Sequence, residues 1–115
     1  MKPGLRGISG QYAGVSIPLE NVPSTLGRDP RGVNLVFPQD ADSVSKHHCT
    51  VRWDGVRGVF VLQDLGSTNG TFLASGERLT PGVPRDLHSG DRFYIGDLRN
   101  QFEVNMFDEG TFDRT

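Results

Sequence analysis

Glycine and proline cut this chain into short pieces. Fifteen glycines and seven prolines recur along 115 residues, and no stretch between them sustains helical periodicity. What lies between them instead is a series of brief runs in which apolar and polar side chains alternate, rich in β-branched and aromatic residues. Turn signals spaced this closely, with period-two runs between them, predict an all-β chain folded as a sandwich or barrel of short strands.

The runs can be placed. Val15-Ser16-Ile17-Pro18-Leu19 alternates with Val15, Ile17 and Leu19 on one face, and Pro18, which has no amide to donate, suits an edge strand. Cys49, Val51 and Trp53 alternate with Thr50 and Arg52, and a turn at Asp54-Gly55 leads into Val59-Phe60-Val61-Leu62, apolar on both faces. This pair predicts a central hairpin. Phe93 and Ile95, then Phe102, Val104 and Met106, predict a second hairpin turning at Gly96-Asp97-Leu98. Leu26 and Leu35-Val36-Phe37 flank a polar segment, while Leu79, Val83 and Leu87 sit in short strands between turns. Residues 108–115 are polar and weakly patterned, and are expected to form a tail or linker after one domain over residues 1–107.

A chain of this length buries roughly two-thirds of its unfolded surface, enough for a core without metal or disulfides. The single Cys49 has no partner within the chain, which fits a reducing compartment. Neither a secretory leader nor an apolar run near the ~20 residues of a membrane span is visible, so the expectation is a cytoplasmic protein with no membrane partner. The sequon Asn69-Gly70-Thr71 falls on the loop assigned below to ligand contact, where a glycan would block binding. A net charge of -2 disfavours nucleic acid, which calls for a basic face. Arg28, Arg31 and Lys46 could still hold one phosphate.

Three segments bear on chemistry: Gly27-Arg28, Ser45-Lys46-His47-His48, and Asp64-Leu65-Gly66-Ser67-Thr68-Asn69-Gly70-Thr71 followed by Phe72. An arginine offers paired donors matched to phosphate oxygens, a serine hydroxyl can donate to them, and a lysine adds a point charge. A serine hydrolase is a poor alternative, since no Gly-x-Ser-x-Gly elbow surrounds Ser45 and no oxyanion donors follow it. Zinc held by His47, His48 and Cys49 is equally poor, because adjacent strand residues point to opposite faces. Nor is there a Walker-type loop or a paired acid and base. Neither catalysis nor a cofactor is expected. Taken alone, Asn69-Gly70 reads as a tight hairpin turn requiring positive φ.

In this order, the three segments resemble the phosphothreonine-reading forkhead-associated (FHA) domain, with Ser89-Gly90-Asp91-Arg92-Phe93 as a later landmark, over roughly Leu5 to Met106. The resemblance implies a sandwich of about eleven strands in two sheets with ligand loops at one end. It implies that Arg28, Ser45 and Thr68 hold the phosphate with Lys46 nearby, and that Asn69 bonds the peptide backbone. Gly27, His48 and Gly70 are then scaffold, with His48 a loop-bonding residue. His47 stays unassigned, standing where the family tends to carry a basic residue. Preference for phosphothreonine implies a cavity for its methyl group, worth only about 0.8 kcal/mol by transfer, so rigidity of the site must supply the rest. The implied partner is a protein phosphorylated by a Ser/Thr kinase, with self-association through a phosphorylated Thr111 or Thr115 as a narrower idea. A scaffold that binds an unphosphorylated partner through the sandwich face is the alternative.

Overall fold

The computed structural model describes residues 1–112. Its strands are β1 (Lys2–Gly7), β2 (Ser16–Pro18), β3 (Ser24–Gly27), β4 (Leu35–Val36), β5 (Cys49–Asp54), β6 (Val59–Asp64), β7 (Thr71–Leu73), β8 (Arg85–Leu87), β9 (Arg92–Ile95) and β10 (Gln101–Phe107). These ten form two five-stranded sheets, ordered β2-β1-β10-β9-β7 and β4-β3-β5-β6-β8. The two-sheet FHA-like sandwich is therefore present. Pairing is antiparallel except between β3 and β4.

Alternation puts one face of each sheet against the other. Leu5, Phe93, Ile95, Phe102 and Val104 from the first sheet meet Leu26, Cys49, Val51, Phe60 and Leu62 from the second, all at 1% exposure or less. Each large side chain buried this way contributes about 1.5–3 kcal/mol. Cross-strand partners pack ring on ring: Phe93 stacks on Phe102 at 5.5 Å between ring centroids, and Trp53 lies tilted against Phe60 at 4.8 Å. Both expected hairpins form, β5–β6 and β9–β10. In the first, the Asp54 carboxylate caps the turn by accepting from the Val56 and Arg57 amides.

Two local expectations change. The edge strand β2 lies beside β1, but its Ser16 is buried while Val15 and Ile17 are half-buried. The Ser16 hydroxyl accepts from Arg6 Nε, which satisfies it, and Leu19 reaches the core only beyond the strand's end. Val83 is exposed, unlike Leu79 and Leu87, because its amide closes a turn onto the Thr80 carbonyl instead of joining a strand.

The pairings gather one set of strand ends. β1, β3, β6 and β9 finish where β5, β7 and β10 begin, so the connections 37–48, 65–70 and 96–100 share one end of the sandwich. At the other end, residues Glu109–Phe112 of the expected tail form a 3-10 turn. Its Phe112 packs edge-to-face on Phe107, 6.1 Å between centroids, in space left by the missing side chain of Gly4. Thr115 lies outside the described residues.

Candidate functional site

Gly27 closes β3, and the backbone of the 45–48 segment runs directly over it. A Cβ on Gly27 would stand 2.0 Å from the Lys46 carbonyl oxygen. Glycine is needed here for close approach and not for turn freedom. Contact at that distance lets the Arg28 amide donate to the Ser45 carbonyl and the Asp29 amide to the Lys46 carbonyl, both at 3.2 Å. The Arg28 side chain is then fixed by neutral acceptors: Nε donates to the Val44 carbonyl and Nη1 to the Gln39 carbonyl, while Gln39 Nε2 donates back to the Arg28 carbonyl. Among the described residues no carboxylate pairs with it. Its charge is oriented yet uncompensated, as an anion site requires.

His48 is fully buried and ties two loops together. Its Nδ1 accepts from the Ser45 amide at 3.0 Å, so its hydrogen must sit on Nε2, 2.8 Å from the Gly70 carbonyl. Burial lowers its pKa, against the opposing pull of the Gly70 carbonyl and Asp64, and the ring is neutral. Ser45 Oγ accepts from the Thr68 amide at 3.0 Å, which leaves its hydroxyl hydrogen for a ligand. Lys46 is exposed beside it. His47 turns toward Asp29, 3.8 Å away.

The 64–71 loop is organised by a residue to which sequence reasoning gave no role. Asp64 is buried, and its carboxylate accepts from the Gly66 and Ser67 amides and from the Ser67 and Thr71 hydroxyls. Burial alone would raise its pKa; the Ser67 and Thr71 bonds outweigh that and hold it below the usual carboxylate range. Ser67 Oγ in turn accepts from the Gly70 amide at 3.0 Å. The expected hairpin turn with positive φ through Asn69 is absent: only Gly66 and Gly70 adopt positive φ in this loop, because the Asp64 hub and not a two-residue turn sets its path. Thr68 and Asn69 are left exposed at the tip, with Asn69 Nδ2 donating to the Asp42 carbonyl at 3.3 Å. Arg78 braces the loop from outside, donating to the Thr68 carbonyl at 3.4 Å and lying over Phe72. Nothing in the sequence marked it.

Arg28, Ser45, Thr68, Asn69, Gly27, His48 and Gly70 thus form one bonded cluster, with Lys46 at its rim. Among the described residues no three His, Cys, Asp or Glu side chains are grouped to hold a metal, and no helix is long and apolar enough to cross a membrane.

A two-sheet sandwich with a hydrogen-bonded loop cluster at one end defines an all-β domain whose loops carry its candidate site. The chain belongs to the FHA domain family, which it matches over residues 24–96. An FHA domain-containing protein of Arabidopsis thaliana is 35% identical over 92 residues, 77% of this chain and 22% of that protein; the chain thus spans about a fifth of that relative's length. The solution structure of the FHA domain of an Arabidopsis thaliana hypothetical protein superimposes with a TM-score of 0.76 at 30% identity, covering 93% of this chain and 86% of that one. An FHA domain solved in a structural and functional analysis of phosphothreonine-dependent FHA domain interactions gives a TM-score of 0.69 at 27% identity, covering 94% and 99%.

Proposed function

We propose that this chain is a phosphothreonine-dependent peptide-binding module over residues 1–107, a cytoplasmic signalling adaptor without catalytic activity or cofactor, whose partner is made by a Ser/Thr kinase. The observation that carries this is the placement of Ser45. Its amide is held by His48 and its oxygen accepts from the Thr68 amide, so its hydroxyl hydrogen is left for a ligand on the loop end that also carries the uncompensated Arg28 and the exposed Thr68. Three donors of that kind suit a dianion with three acceptor oxygens. Asn69 keeps its carboxamide oxygen for a peptide amide, Lys46 supplies charge at the rim, and Gly27, His48 and Gly70 fix the frame. The related domain studied for phosphothreonine-dependent interactions supports the same chemistry.

The test is calorimetric or anisotropy binding to phosphothreonine, phosphoserine and unphosphorylated peptide pools, for wild type and Arg28→Ala. Binding confined to the phosphothreonine pool and lost in the variant is expected. Binding indifferent to phosphate and to Arg28 would move the function to the sandwich face, where half-buried Phe72 and Tyr94 stack and line a hollow with exposed Leu98.

Self-association through a phosphorylated Thr111 would run between copies. β10 alone carries the chain roughly 20 Å from the loop end to Phe107, and four further residues span only about 14 Å. A phosphorylated Thr111 therefore falls short of its own site. Dimers or chains of copies are expected after phosphorylation, and a phosphorylated protein that stays monomeric by light scattering would refute this.

A further inference from the structure

We propose that the phosphothreonine site lies between two hollows of opposite charge, and that its ligand carries an acidic residue on one side of the phosphothreonine and a basic residue on the other. This rests on the phosphopeptide reading above.

The first hollow, about 390 Å³, is lined by Asp29, Pro30, Arg31, Gln39 and Lys46. Its single carboxylate is already engaged: Asp29 accepts from the Arg31 amide at 2.9 Å and from Arg31 Nε at 3.3 Å, with His47 Nε2 at 3.8 Å. Lys46 has no carboxylate partner among the described residues. The balance is cationic. Gln39, through its bond to the Arg28 carbonyl, and Lys46, through its bond from the Asp29 amide, join this hollow to the phosphate site.

The second hollow, about 340 Å³, has a mostly polar lining that includes Asp40, Asp42 and Arg99 together with the apolar Phe37, Pro38 and Ala41. Here the cation is the engaged group, since Arg99 Nη2 sits 2.7 Å from Asp97. Asp40 and Asp42 are free of ion pairs among the described residues, so the balance is anionic. Unpaired carboxylates among a few apolar residues fit a lysine or arginine, whose stem can pack while its head meets the charge. The bond from Asn69 to the Asp42 carbonyl joins this hollow to the residue assigned to the peptide backbone.

One short segment separates the two: Gln39 lines the first hollow while its neighbours Pro38 and Asp40 line the second. An extended peptide pinned at the phosphate and crossing this segment passes from one field into the other.

The experiment is anisotropy at low salt with phosphothreonine peptides in which glutamate or lysine is placed in turn at each flanking position. Wild type, Arg31→Glu, and the double variant Asp40→Lys with Asp42→Lys are compared. Positions on one side should favour glutamate and those on the other lysine, by about two- to fivefold each, as expected for exposed pairs. Arg31→Glu should erase only the first preference and the double variant only the second. Equal charge preference on both sides, or preferences unmoved by the variants, overturns the polarity while leaving phosphopeptide binding intact. No binding to any phosphothreonine peptide overturns both.

Discussion

Ser45 donates its backbone amide to Nδ1 of His48 at 3.0 Å, and this one bond decides the protonation of a fully buried ring. A second proton would aim an N–H at an N–H and break the bridge from Ser45 to Gly70.

The first prediction concerns pH. His48 has its pKa lowered by burial, so near pH 6 the unfolded chain takes up a proton that the folded chain refuses. Its contribution to stability is whole above the ordinary value of about 6.5 and declines as pH falls below it. Urea unfolding between pH 8 and pH 5 should show stability dropping through that window, and His48→Gln should flatten the drop. An equal slope in both proteins would remove His48 as its cause.

Binding should depend more on Arg28 than on Ser45. Arg28→Ala deletes a charge-assisted contact worth about 1.5–3 kcal/mol, whereas Ser45→Ala deletes a neutral one worth about 0.5–1.5 kcal/mol. Arg28→Lys should recover little, since a lysine cannot span both the Val44 and Gln39 carbonyls that orient the guanidinium. Titration with a phosphothreonine peptide measures all three, and equal losses would refute the assignment.

Lys46, exposed at the rim, should act as a screened charge. Lys46→Ala is expected to weaken binding more at low than at high ionic strength. The same loss at both would mean a direct, desolvated contact.

Gly27→Ala should weaken both fold and site. Its new methyl meets the Lys46 carbonyl, and relieving such an overlap costs about 1–3 kcal/mol by lifting the segment that carries Ser45. Denaturant unfolding should show the stability loss and peptide titration a weaker complex. Unchanged values in both would contradict the close approach.

Asp64→Asn tests the loop's hub. The amide nitrogen cannot accept from the hydroxyls and amides that now point at the carboxylate, so a loss of at least about 2 kcal/mol is expected. A melt within a degree of wild type would show that the loop holds without it.

How much was legible in advance differs from element to element. Both hairpins and the edge position of β2 follow from period-two alternation and a proline, which are local properties. Val83 misled because an apolar residue in a turn carries no label for which way it faces. The positions of Arg28, Ser45, Thr68 and Asn69 were legible as a motif, but the reasons for Gly27 and Asp64 were not. Gly27 is explained by a segment some twenty residues away, and Asp64 by four donors that only a closed loop aims at one carboxylate.

What the sequence by itself determined is the alternation that makes strands, the glycines that end them, and the donor side chains carried on the loops. What only the tertiary structure decided is which loops meet, how His48 is protonated, and which charged side chains line the hollows on either side of Gln39. The physical reason is distance: pattern along the chain is fixed by neighbours in sequence, whereas hydrogen bonds and fields depend on groups brought within a few ångströms from far along it.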